Sequence, residues 1–167
     1  MKKLSFVRHA KSSWDSKYPT DFEREINQRG IQKTENLFQF LKSEQLIPEM
    51  ILCSPATRAM QTAHFLMGKF GLTKDVLVFE PALYSGNHQD YINSIYAFDD
   101  SITHLMIVGH NPSISEAAHS LSTEVAMMNT SQICHFEFDC NEWNQISNAP
   151  ISKFLSHNPQ TPFANYE

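Results

Sequence analysis

The sequence has no arginine beyond position 58, no apolar run long enough to cross a bilayer, and no cysteine–histidine spacing of the zinc-binding kind. It has no internal repeat and no low-complexity tract. Positive charge is in deficit: 13 lysines and arginines against 18 aspartates and glutamates leave a net charge of −5. That balance argues against a general nucleic-acid or anionic-membrane binder. Lys2 and Lys3 are followed by too few apolar residues for the core of a secretory leader. The cysteines, Cys53, Cys134 and Cys140, are odd in number, and Cys53 sits in an apolar stretch. Such usage fits reduced, structural thiols and a cytoplasmic location. No metal and no other cofactor is expected.

With 167 residues, 41% hydrophobic and 19% charged, the chain suits one domain over 1–167 with a packed core. A loose tail is expected at 159–167, where Pro159 and Pro162 fall. Leu4, Phe6 and Val7 read as a short buried strand that stops at Arg8 and His9. A polar loop follows over 11–27, long enough inside a compact domain to suggest function. Within it Trp14 and Tyr18 either wall a cleft or plug the core edge, and the plug is preferred. Residues 28–44 form a helix by periodicity, with Ile31, Leu37, Phe38 and Leu41 on one face. Gly30 near its start weakens it. A strand is expected at 50–53, then a helix to about Phe70 capped by Ser54 with Pro55 at its first position. Further strands are read at 76–79, 105–108, 133–138 (toward an edge) and 151–155. Helices are expected from Gly86–Asn87 and from Asn111–Pro112. The histidines His64, His88, His104, His119, His135 and His157 are read as packing, surface or loop residues.

Alternation of strands and helices implies an α/β protein, a three-layer α/β/α sandwich around a mainly parallel sheet. The ends of the first, second and fourth strands then meet at one edge, where open α/β sheets bind ligands. Those ends carry Arg8 and His9, Ser54 with Arg58, and Gly109 with His110. Two helix N-termini aim amide groups at the same edge. Two arginines beside two imidazoles suit a phosphate group. Arg24 and Arg29 are either solvated or directed at the same anion.

The pieces Val7-Arg8-His9-Ala10-Lys11-Ser12, Asp21-Phe22-Glu23-Arg24, Asn27-Gln28-Arg29-Gly30, Ser54 to Ala63, and Val108-Gly109-His110-Asn111-Pro112 resemble the histidine phosphatase superfamily in content and order. Within it they are similar to the SixA-type phosphohistidine phosphatases. The resemblance implies a phosphoglycerate mutase-like fold and a phosphatase with a phosphohistidine intermediate. It implies His9 as nucleophile, with Arg8, Arg58 and a protonated His110 on the phosphoryl oxygens. Ser12, Asn111 and Arg24 are expected to join them in binding substrate. Mutase-like members have an asparagine where Asp15 stands, and Arg24 is the expected replacement donor. The general acid is left between Glu80, Asp21 or none. The implied substrate is a phosphorylated protein such as a phosphotransfer domain. A small phosphate ester, a phosphate-sensing adaptor without turnover and a mutase are the alternatives.

Overall fold

The computed structural model describes residues 1–15 and 17–159. The expected tail falls on 160–167, outside the described residues, apart from Pro159, which is buried. Six strands form one sheet: β1 (Lys2–Arg8), β2 (Met50–Cys53), β3 (Leu77–Phe79), β4 (His104–Gly109), β5 (Ile133–Phe138) and β6 (Ile151–His157). Their order is β3-β2-β4-β1-β5-β6. The first four are parallel, and β5 and β6 are antiparallel to their neighbours. The helices are α1 (Gln28–Ser43), α2 (Thr57–Phe70), α3 (Ala82–Ser85), α4 (His88–Tyr96) and α5 (Ser113–Leu121).

Alternation along β1 divides the core between the two faces of the sheet. Leu4 and Phe6 pack with Tyr91, Ile92 and Ile95 of α4 and with Ile114, Ala117 and Ala118 of α5. Val7 points the other way, into Leu37, Phe38 and Leu41 of α1 and Ala59, Ala63 and Leu66 of α2. The result is the three-layer sandwich. Register then aligns the strand ends: Arg8 lies beside Gly109, and Cys53 beside Val108.

Several local expectations are corrected. The second helix opens at Thr57, with Ala56 rather than Ser54 at its cap. Ser54 is instead turned inward, and Pro55 lies before the helix. The fifth helix opens at Ser113, after a cis Asn111–Pro112 peptide bond. Ile31 is exposed, and Gly30 and Thr34 take the buried positions of the first turns of α1. The strand β5 lies inside the sheet because β6 covers it. The short helix α3 was not expected. His104 is a buried β4 residue, not a loop residue, and shares Ser5 Oγ with buried His135, at 2.9 and 2.8 Å. Trp14 plugs nothing: it is 82% exposed.

Candidate active site

His9 follows directly on the end of β1, and its amide donates to the Gly109 carbonyl at 3.0 Å. The ring is buried. Its Nδ1 lies 2.7 Å from the Ala10 carbonyl oxygen. A carbonyl can only accept, so Nδ1 carries the proton and Nε2 keeps the lone pair. The Arg58 Nε–H points at that lone pair from 3.4 Å. Burial, then the neighbouring His110, holds the His9 pKa well below the usual histidine value. The ring is therefore neutral at physiological pH, the state a nucleophile requires.

Arg58 lies in the first turn of α2 and is buried. Its Nη1 donates to the Asp21 carbonyl at 2.8 Å, and its Nη2 pairs with Asp21 Oδ2 at 3.0 Å. Arg24 reaches the other oxygen, Oδ1, from Nε and Nη2, both at 3.0 Å. Tyr84 of α3 donates to Oδ2 at 3.0 Å. The carboxyl of Asp21 thus holds two arginines and a tyrosine in fixed relation. Burial pushes its pKa up, but Arg58, Tyr84 and Arg24 together outweigh burial, and the net shift is downward. Asp21 is ionised at neutral pH.

Arg24 Nη1 also donates to Ser12 Oγ at 2.9 Å, and its guanidinium lies 3.5 Å from the centre of the Trp14 ring. Arg8 Nη1 donates to the Met128 carbonyl at 3.0 Å, while its Nε is buried with no hydrogen-bond partner. A cavity of about 290 Å³ is lined by Arg8, His9, Lys11, Ser12, Trp14, Arg24 and Thr130. The loop over 11–27 folds back on itself through a Ser12–Ile26 bridge. The one-turn 3₁₀ helix Asp21–Glu23 then delivers Asp21 and Arg24.

His110 follows β4, and its ring centre is 4.9 Å from that of His9. Its Nε2 is 2.7 Å from Ser54 Oγ, which already accepts the Ala56 amide at 3.2 Å. Ser54 can then give its own proton to Nε2. The His110 Nδ1 is buried and without a hydrogen-bond partner. Burial, then Arg58, pushes the His110 pKa down to about 3. The ring is neutral here, where the sequence reading expected an imidazolium. A bound dianion would favour the second proton.

The other expected residues fall further out. Glu80 accepts the Ala82 amide at 3.0 Å and so opens α3. Asp15 is exposed and accepts the Lys17 amide at 3.2 Å. The Asn111 amide donates to the Met128 carbonyl at 2.8 Å and accepts from Ser115 Oγ, which fixes the turn into α5. Arg29 is exposed, unlike Arg24. Two contributors, Thr62 and Tyr84, were not anticipated, nor was the role of Ser54. Thr62 Oγ1 accepts the Ala10 amide at 2.9 Å and donates to the Arg58 carbonyl at 2.7 Å, which ties nucleophile and arginine together. Ser54 orients His110. Tyr84 holds Asp21, and nothing in its sequence neighbourhood signals it.

Fold and site together define a phosphatase of phosphoglycerate mutase-like architecture. The model of the histidine phosphatase superfamily (branch 1) matches residues 4–82. An uncharacterised chloroplastic protein of Arabidopsis thaliana is 29% identical over 153 residues, 86% of this chain and 70% of that one. An uncharacterised protein of Mycobacterium leprae is 32% identical over 119 residues, 70% of this chain and 71% of that one. The protein histidine phosphatase SixA, in its complex with tungstate, shares the fold with a TM-score of 0.79. That similarity spans 95% of this chain and 97% of SixA at 20% identity. The chain belongs to the histidine phosphatase superfamily. Among the described residues no helix is long and apolar enough to cross a membrane.

Proposed function

We propose that the protein is a metal-independent phosphatase that releases phosphate from phosphohistidine in a protein, through a phosphorylated His9. The observation that carries this reading is the tautomer of His9: a neutral ring with its Nε2 lone pair turned to Arg58. In the first step Nε2 attacks phosphorus as the bond from phosphorus to the substrate imidazole nitrogen breaks. The departing ring keeps that electron pair. Its other nitrogen already holds a proton, so it leaves as neutral imidazole. Water then attacks phosphorus, the bond to Nε2 breaks, and inorganic phosphate departs.

Charge on the transferring group is met by Arg8, Arg24 and Arg58 and by the His110 N–H, aimed from a buried frame. Ser12 and Asn111 support this set through Arg24 and the Met128 turn. Asp21, held ionised by two arginines, is a positioning residue and has no proton to give. Glu80 acts on α3. An imidazole leaving group makes a general acid unnecessary, which favours phosphohistidine over an alkyl phosphate ester. The exposed Trp14 and the cavity beside it leave room for a phosphorylated protein side chain.

Incubation with a phosphohistidine peptide, quenched in alkali, should leave acid-labile phosphoryl label on His9. His9→Ala should abolish both label and turnover, and a chelator should leave turnover unchanged. Phosphate binding without label would point to a sensor. Faster release from sugar phosphates than from phosphohistidine would point to a small-molecule phosphomonoesterase.

A further inference from the structure

Lys11 lines the nucleophile's cavity together with Arg8, His9 and Arg24. Its backbone lies directly against the first turn of α1. A Cβ added to Gly30 would come within 2.3 Å of the Lys11 carbonyl oxygen, and that oxygen accepts the Asn27 amide at 2.9 Å. The approach sets Lys11 beside Arg29 and Lys33, which stand four residues apart on one face of the helix. Burial comes first among the influences that lower the Lys33 pKa, and the charges of Lys11 and Arg29 follow. The three cations feel one another. Arg29 is exposed, and Lys11 and Lys33 are half-buried.

Among the described residues, none of the three forms an ion pair. Nearby carboxylates are engaged elsewhere. Glu35 holds Lys69 at 2.6 Å, Glu25 accepts from the Tyr18 hydroxyl at 3.1 Å, and Asp21 is bound by Arg24 and Arg58. Like charges four residues apart on a helix destabilise it unless something of opposite sign offsets them. This chain, at net charge −5, has acids to spare and, among the described residues, pairs none of them with these three cations.

We propose that Lys11, Arg29 and Lys33 form a docking surface for an acidic face of a phosphorylated protein, whose carboxylates flank the residue entering the cavity. The proposal rests on the phosphoprotein reading above. A small phosphate ester is filled by the arginines around His9 and has nothing to lay across α1. A protein substrate continues past the lip and meets these cations. Three charges on an acidic chain make too narrow a positive field for nucleic acid or an anionic bilayer.

The test uses phosphohistidine peptides flanked by glutamates, alanines or lysines, with free phosphohistidine as the basal substrate. The variant is Arg29→Glu with Lys33→Glu, neither of which lines the cavity. The glutamate-flanked peptide should exceed the lysine-flanked one by about 10-fold in kcat/KM at low salt. High salt should erase the preference. The double variant should invert it and leave free phosphohistidine turnover unchanged. Rates indifferent to the flanks, or a preference that survives charge reversal, would overturn the docking surface and leave the catalytic reading intact. Equal loss on free phosphohistidine would also overturn it, by making the cations a small-anion subsite. If no phosphohistidine compound is cleaved, the catalytic reading fails. Fluorescence anisotropy with labelled, unphosphorylated peptides then decides the surface alone. Glutamate-selective binding lost in the double variant upholds it, and no such selectivity, or stronger binding to phosphatidylserine vesicles, overturns it.

Discussion

Arg58 makes three directional contacts at once: Nε to His9 Nε2, Nη1 to the Asp21 carbonyl, and Nη2 to the Asp21 carboxylate. A guanidinium can do this because its donors are held in one rigid plane. An ammonium carries the same charge but cannot span the same three acceptors. Arg58→Lys should therefore lower kcat by about 10²–10³-fold, as loss of one oriented transition-state donor does. Steady-state kinetics beside a circular dichroism melt would check it, and a variant that keeps wild-type kcat would refute the assigned geometry. Sequence reading reached Arg58 through its place after a strand end. It did not reach Ser54's role, because a serine before Pro55 has the appearance of a helix cap. The serine turns inward because His110, far along the chain, presents a nitrogen at 2.7 Å. A partner brought by the sheet is invisible to a local pattern.

At the scale of elements, the approach of the 11–27 loop to α1 decides whether the site closes. Gly30 lets the Lys11 carbonyl lie against the helix, and no larger residue fits, since a Cβ would meet that oxygen at 2.3 Å and it belongs to backbone. Gly68, in α2, is the contrast: a Cβ there meets nothing within 4 Å. Gly30→Ala should lower stability by about 1–3 kcal/mol through overpacking. Gly68→Ala should raise it by about 0.5–1 kcal/mol through helix propensity. Urea denaturation of the pair would check both signs. By propensity alone the two glycines look alike, which is why sequence reading treated Gly30 as a weakness. The apolar residues of β1 and β2 and the continuous apolar run of β4 were legible, since strands covered on both faces have little else to show. The single-turn α3 was not, having no room for a periodic pattern, and with it Tyr84 was missed. Trp14 misled because a large ring usually marks burial. Here Arg24 stacks on one face, and the indole stays in water.

For the molecule as a whole, four histidines kept neutral by burial couple stability to pH. His9 and His110 sit at the site. His104 and His135 sit about 10 Å away, given three residue steps of strand from Ser5 to Arg8. Burial, then His135, pushes His104 down to about 3, and burial, then Lys153, pushes His135 down to about 4. A depressed folded pKa means that the unfolded chain binds the proton first. The stabilisation is complete above about pH 6.5 and is lost progressively as pH falls toward 3–4. Each histidine contributes a slope of up to about 1.4 kcal/mol per pH unit within that window. Denaturation midpoints should accordingly drop steeply between about pH 6 and pH 4. Inorganic phosphate separates the two sources. A dianion among the arginines favours protonation of His110 in the folded state, so the folded protein takes up a proton as the unfolded one does, and the site's share of the slope shrinks. The share of His104 and His135 does not respond, because both rings are buried in the sheet on Ser5, with the Glu137 carboxylate 3.5 Å from His135, and bound phosphate sits among the arginines instead. Saturating phosphate should thus flatten part of the pH dependence and leave a residue that the His135→Gln variant reduces further. A slope that phosphate abolishes entirely, or leaves untouched, would show that the imidazoles do not divide between anion site and sealed sheet as their contacts require.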